Sequence, residues 1–143
     1  MILPDANLFL YAYDEDSSFH TEAVRWCERV LGGTEPVLLL PAVIFGFVRI
    51  STHAKVFENP LTVGEAAARV ESWLSCHHVK IMDMLAEDVA MALTLLKAAG
   101  TAGNLTTDAQ IAAMAIRLDA EVHTADLDFG RFPKVRFLNP LRL

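Results

Sequence analysis

Gly103-Asn104-Leu105-Thr106-Thr107-Asp108-Ala109 opens an alanine-rich segment that runs to about Leu118 and is apolar nearly all round at Ile111-Ala112-Ala113-Met114-Ala115-Ile116. Apolar residues on every face predict a buried helix. Thr106 or Thr107 can cap it, which puts Asp108 in the first turn, where unpaired N–H groups and the helix dipole favour a negative charge. Two other stretches place an acid after a short apolar run: Met1-Ile2-Leu3-Pro4-Asp5 and Val122-His123-Thr124-Ala125-Asp126. In an alternating α/β chain the C-terminal ends of the strands border one crevice, so Asp5, Asp108 and Asp126 are expected to meet there.

Working outward, Ile2 to Pro4 reads as a buried strand, and the chain then turns through Asp5-Ala6-Asn7 into Leu8–Tyr13. Ala23, Trp26, Cys27, Val30 and Leu31 form one stripe of an amphipathic helix that Gly32-Gly33 closes. Val37 to Leu40 is β-rich, and Pro41 suits the first turn of a helix reaching about Thr52. Thr62 and Glu65 have capping-box spacing, with Val63, Ala67, Val70 and Leu74 on the face beyond. His77 to Met82 reads as a strand, and Ala86 to Ala99 as a helix with Val89, Leu93 and Leu96 inward and Gly100 at its end. Residues 121 to 125 and 135 to 138 supply two further strands around a turn at Asp128 to Arg131. Strands separated by helices predict one α/β domain over residues 1–143, a mostly parallel sheet flanked by helices on both faces.

A chain of 143 residues, 53 % hydrophobic and 21 % charged, suits one compact core without disulfide staples. Its net charge of −6 gives no general affinity for nucleic acid, so an anionic substrate must be met by a local basic patch or a metal. Cys27 and Cys76 are far apart in sequence and match neither a zinc nor a disulfide pattern. No signal-peptide pattern opens the chain, and its longest apolar stretch, Val37 to Val48, is too short to span a bilayer, so a cytoplasmic protein with no membrane partner is expected.

Several ionised carboxylates in one crevice repel one another and need shared protons or a cation. A hard divalent ion, magnesium or manganese, bound through one or two carboxylates with waters retained, suits a phosphate-ester substrate. Such an ion orients and acidifies water for in-line attack on phosphorus, which points to phosphodiester hydrolysis. Each acid also has a plainer reading: Asp108 as a dipole partner, Asp5 in an Asx-turn, Asp126 and Asp128 as turn residues.

Asp5-Ala6-Asn7-Leu8-Phe9-Leu10-Tyr11-Ala12, Gly103 to Ala109, and Thr124-Ala125-Asp126-Leu127-Asp128-Phe129 with Arg131-Phe132-Pro133 resemble the motifs of PIN-domain ribonucleases, and more closely the VapC toxins of VapBC pairs. Phe47-Val48-Arg49-Ile50-Ser51-Thr52 and the Asn139-Pro140-Leu141 close extend the resemblance along the chain. The resemblance implies a magnesium-dependent endoribonuclease, with Asp5, Asp108 and Asp126 as metal ligands and Thr124 as a hydroxyl contact. It also implies Arg49, Asn7 and Asp128 toward the RNA, a homodimer, and a VapB-like antitoxin whose tail blocks the crevice. One departure stands out: the family's Glu three residues before the third-helix Arg is Gly46 here. That leaves open a catalytically weakened PIN-like binding module.

Two groups of cations, Arg49, His53 and Lys55, and Arg131, Lys134 and Arg136, are expected to rim the crevice and hold phosphates. Trp26 and Trp73 read as core, His77-His78 as strand-edge surface, and Phe9, Tyr11 and Tyr13 as a surface for a partner segment. A phospho-acceptor domain using Asp5 as nucleophile is the weaker rival, since Asp5-Ala6-Asn7 lacks the second acid of Asp-x-Asp and Ile2-Leu3-Pro4 has no acidic pair.

Overall fold

In a computed structural model, which describes residues 1–142, five three-residue strands form one sheet. The strands are β1 (Ile2–Pro4), β2 (Val37–Leu39), β3 (Val79–Ile81), β4 (Glu121–His123) and β5 (Arg136–Leu138), in spatial order β3-β2-β1-β4-β5 with every neighbouring pair parallel. Six helices connect them: α1 (Ala6–Tyr13), α2 (His20–Leu31), α3 (Pro41–Ser51), α4 (Val63–Leu74), α5 (Ala86–Ala99) and α6 (Leu105–Leu118). The chain leaves β1 toward β2 and β3, then returns to the other side of β1 for β4 and β5. The β1/β4 border is therefore the switch point, the place where open parallel sheets bind ligands.

Strand alternation divides the core. Leu3, Leu38 and Val122 face α5 and α6, whereas Ile2, Val37, Leu39 and Val79 face α1, α2 and α4. On the second face Phe9 stacks on Trp73 at 3.9 Å between centroids and meets Trp26 edge-on at 5.3 Å. Phe9 is thus core, which corrects its expected place on a partner surface. Tyr13 is tied to the Asn59 carbonyl and Tyr11 leans on Phe19.

Two helices are rotated from the expected face. In α4 the buried stripe is Ala66, Val70 and Trp73, with Val63 exposed, because the indole stacked on Phe9 buries far more surface than a valine. The Thr62–Glu65 capping box forms in both directions. In α5 the buried residues are Asp88, Ala92 and Leu95, while Val89 and Leu93 face outward. Arg117 of α6 holds Asp88 inward, and Asp88 also accepts the Leu85 N–H at 2.8 Å, which sets the rotation. Arg136 turns away from the crevice to the Asp119 carbonyl and carboxylate at the opposite end of the strands. Among the described residues no helix is long and apolar enough to cross a membrane.

Candidate active site

The backbone builds the crevice first. The Asp5 N–H donates to the His123 carbonyl at 2.9 Å and the Thr124 N–H to the Leu138 carbonyl at 3.0 Å, so the ladder β1-β4-β5 fixes where both chains leave the sheet. The His123 ring is itself pinned: its Nδ1 accepts the Trp26 indole N–H at 3.0 Å, which leaves the proton on Nε2 to donate to Glu121 at 3.2 Å. Burial pushes this imidazole below its ordinary pKa, consistent with a neutral ring.

Asp5 caps α1, with Oδ1 accepting the Ala6 N–H at 2.7 Å. Its Oδ2 accepts from the Thr124 hydroxyl at 2.9 Å and the Asn7 amide at 3.1 Å. The plain reading of Asp5 as a turn residue is therefore right, and the same bonds aim its carboxyl into the crevice. Thr124 is 0 % exposed, and its Oγ1 also accepts the Asp126 N–H at 2.9 Å and the Asn7 amide at 3.3 Å. A hydroxyl so enclosed does not reach a substrate. The hydroxyl contact of Thr124 is with Asp5, Asp126 and Asn7, which it ties together.

Asp108 arrives from the third direction, in the first turn of α6. Neither Thr106 nor Thr107 caps that helix. Both lie inside it after Asn104, and the turn is closed by the Leu105 N–H to Ala102 and the Thr106 N–H to Gly103 carbonyls. Gly103, at φ +48, supplies the left-handed residue the turn needs. Asp126 caps the short helical turn Leu127–Arg131 by accepting the Asp128 N–H at 2.8 Å.

Asp5, Asn7, Arg49, Asp108 and Asp126 all line one cleft of about 430 Å³, completed by Phe45, Gly46, Ile50, Asn104 and Thr107 among others. Asp128 stands outside that lining, exposed beside it, yet close enough for its charge to act on Asp108. Arg131 reaches the Ala99 carbonyl and, like Lys134 and Arg136, does not line the cleft. Arg49 is the one cation of the two expected groups that does, and it forms no ion pair with the acids among the described residues. Phe45, Thr107 and Asn104 went unread in the sequence as site residues; only their adjacency to Gly46, Asp108 and Gly103 could have marked them.

The electrostatics follow from crowding. Burial, and then the charges of Asp5, Asp126 and Asp128, push the Asp108 carboxyl up to about 7. Burial also raises Asp5, despite the opposing bonds from Thr124, Ala6 and Asn7. The donor set is hard oxygen only, which fits magnesium or manganese rather than zinc. Among the described residues no three His, Cys, Asp or Glu side chains are gathered into an assembled metal centre. An open cleft of this kind suits an ion that takes one or two carboxylates and keeps its waters.

A parallel α/β domain with acids from β1, α6 and the β4 exit at its switch point is a PIN-type architecture. The PIN domain family model matches residues 2–135, and the chain belongs to that family. The chain is 41 % identical to Ribonuclease VapC33 of Mycobacterium tuberculosis, covering 99 % of both chains. Ribonuclease VapC37 of the same organism is 32 % identical, with 98 % of this chain and 97 % of that protein covered. Among solved structures, VapBC2 from Rickettsia felis bound to a promoter DNA fragment superposes with a TM-score of 0.69 at 19 % identity, over 97 % of this chain and 98 % of the other.

Proposed function

We propose that this chain is the toxin of a type II toxin–antitoxin pair, a magnesium-dependent endoribonuclease that hydrolyses RNA phosphodiester bonds in the cytoplasm. The observation that carries the reading is the convergence of Asp5, Asp108 and Asp126 on one cleft at the switch point, with no cation among the described residues paired to them. Full-length similarity to proteins named ribonucleases supports it.

Asp5 and Asp108 would hold the divalent ion, with Asp126 as third ligand or water-orienting acid. When bound there, magnesium, or manganese in its place, would offset the phosphate charge and lower the pKa of a bound water. Thr124 keeps Asp5 and Asp126 in register through its single hydroxyl. Asn7 reaches the cleft and steadies Asp5, Arg49 draws the phosphate backbone toward the acids, and Asp128 adds negative charge at the rim. Gly46 leaves the cleft lined by three aspartates with no fourth acid on α3, which favours a single ion. Full-length relatives named ribonucleases favour the enzyme over a binding module despite the loss of that acid.

Inhibition by a VapB-like antitoxin is the matching partner reading, supported by the VapBC complex among the structural neighbours; a homodimer belongs to the same reading. Purified chain incubated with total RNA in magnesium should produce discrete fragments. EDTA or Asp108→Asn should abolish them. Cleavage that persists in both refutes the proposal.

A further inference from the structure

The chain has eight Phe, two Tyr and two Trp, all within the described residues, and only one of these rings is exposed. That ring is Phe45, 68 % exposed, and it lies on the lining of the acidic cleft. Every other aromatic residue is buried or half-buried. A phenyl group left in water forgoes the gain of burial.

Phe45 and Arg49 are one helical turn apart on α3, so they share a face of that helix. Between them Gly46 keeps the wall low: a Cβ there would meet only the Ala6 Cβ, at 3.9 Å. The cleft thus presents an aromatic face, a guanidinium and a cluster of acids along one wall and floor. That order matches one repeat of a nucleic acid, an apolar base next to a charged phosphate, and it does not match the basic tail that an acidic cleft alone would select. A paired base buries both faces in its stack, whereas an unpaired base has one free for Phe45.

We propose that Phe45 is the stacking platform for an unpaired RNA base next to the scissile phosphate, with Arg49 holding the phosphate of that nucleotide. This rests on the nuclease reading and adds to it the residue that contacts a base beside the scissile phosphate.

The test uses the full chain and a fluorescein-labelled single-stranded RNA decamer of mixed sequence, alone or annealed to its complement, with calcium replacing magnesium to restrain turnover. Phe45→Leu should weaken single-strand binding about tenfold, with the salt dependence unchanged. Phe45→Trp should keep the affinity, and the new exposed indole should be quenched on RNA addition, since Trp26 and Trp73 are buried. Arg49→Gln should instead lower the salt slope by about 0.7, the value for one phosphate on a single strand. The annealed duplex should bind more weakly than the single strand to wild type and equally to wild type and Phe45→Leu. Wild-type affinity in Phe45→Leu, or a loss of self-association in sedimentation with RNA binding intact, overturns the proposal and assigns the ring to a protein contact. If wild type cleaves RNA in magnesium and Phe45→Leu does so with unchanged KM, only this inference fails. If wild type neither binds nor cleaves RNA, the nuclease reading fails with it.

Discussion

The two ends of α6 treat a buried aspartate in opposite ways. Near its C-terminus Arg117 reaches across to Asp88 of α5, 1 % exposed, through Nε at 2.6 Å and a second guanidinium nitrogen at 2.9 Å. The guanidinium holds that carboxyl below the usual carboxylate range. At its N-terminus Asp108 is buried almost as deeply but faces Asp5 and Asp126, and its carboxyl is pushed up to about 7. Burial raises both carboxyls, but at Asp88 the guanidinium outweighs it, whereas at Asp108 the neighbouring acids add to it. An acid whose charge is balanced from within the fold is architecture. One whose charge is compounded by other acids reserves its place for a cation from outside.

Substitution at the two ends should separate these roles. Asp108→Asn removes a carboxylate from the cleft while keeping its shape, and RNA cleavage should fall to the level seen with EDTA, with the fold retained by circular dichroism. Arg117→Met should do the reverse. Stranding Asp88 without its cation should lower the urea midpoint clearly, while cleavage per folded molecule stays unchanged.

Titration separates the two acids by sign. The folded pKa of Asp108 lies above the ordinary aspartate value of 3.8, so between about 4 and about 7 the folded state keeps a proton the unfolded state has released. Metal-free stability should therefore fall as pH rises through that window, by at most roughly 1.4 kcal/mol per pH unit for this group. Asp108→Asn should flatten the slope in thermal melts. The depressed pKa of Asp88 acts oppositely: its contribution is full above 3.8 and is lost as pH falls through its folded value.

The smallest effect is expected at Gly46. The site has room for a side chain there, with Ala6 Cβ 3.9 Å from the nearest added atom. Gly46→Glu should tighten magnesium binding several-fold by calorimetry and slightly lower the metal-free melting temperature, because it adds a fourth acid to the crowd.

What was legible in the sequence depended on what fixes a position. Asp5 and Asp126 follow short strands and Asp108 opens a helix, so chain order and parallel topology alone bring them to one edge of the sheet. Rotation of helices about their axes was less legible, because it depends on contacts between distant segments. Val63 fits a helical stripe as well as Trp73 does, and only the Phe9 stack shows which one turns inward. Val89 and Leu93 looked like the core side of α5 because nothing local revealed that Arg117 would hold Asp88 there. The C-terminal cations clustered in sequence, but the register Glu121↔Arg136 carries Arg136 to the far end of the strands. Thr124 was recognised as a site residue, yet its role as an enclosed positioner needed the hydroxyl's three partners in view.

Magnesium titrated calorimetrically into wild type and Asp108→Asn, above pH 7 where the carboxyl is ionised, tests the cleft most directly. The arrangement of Asp5, Asp108 and Asp126 predicts saturable binding near one ion per chain in wild type and its loss in the variant. Matching isotherms, or no saturable heat in wild type, would contradict it.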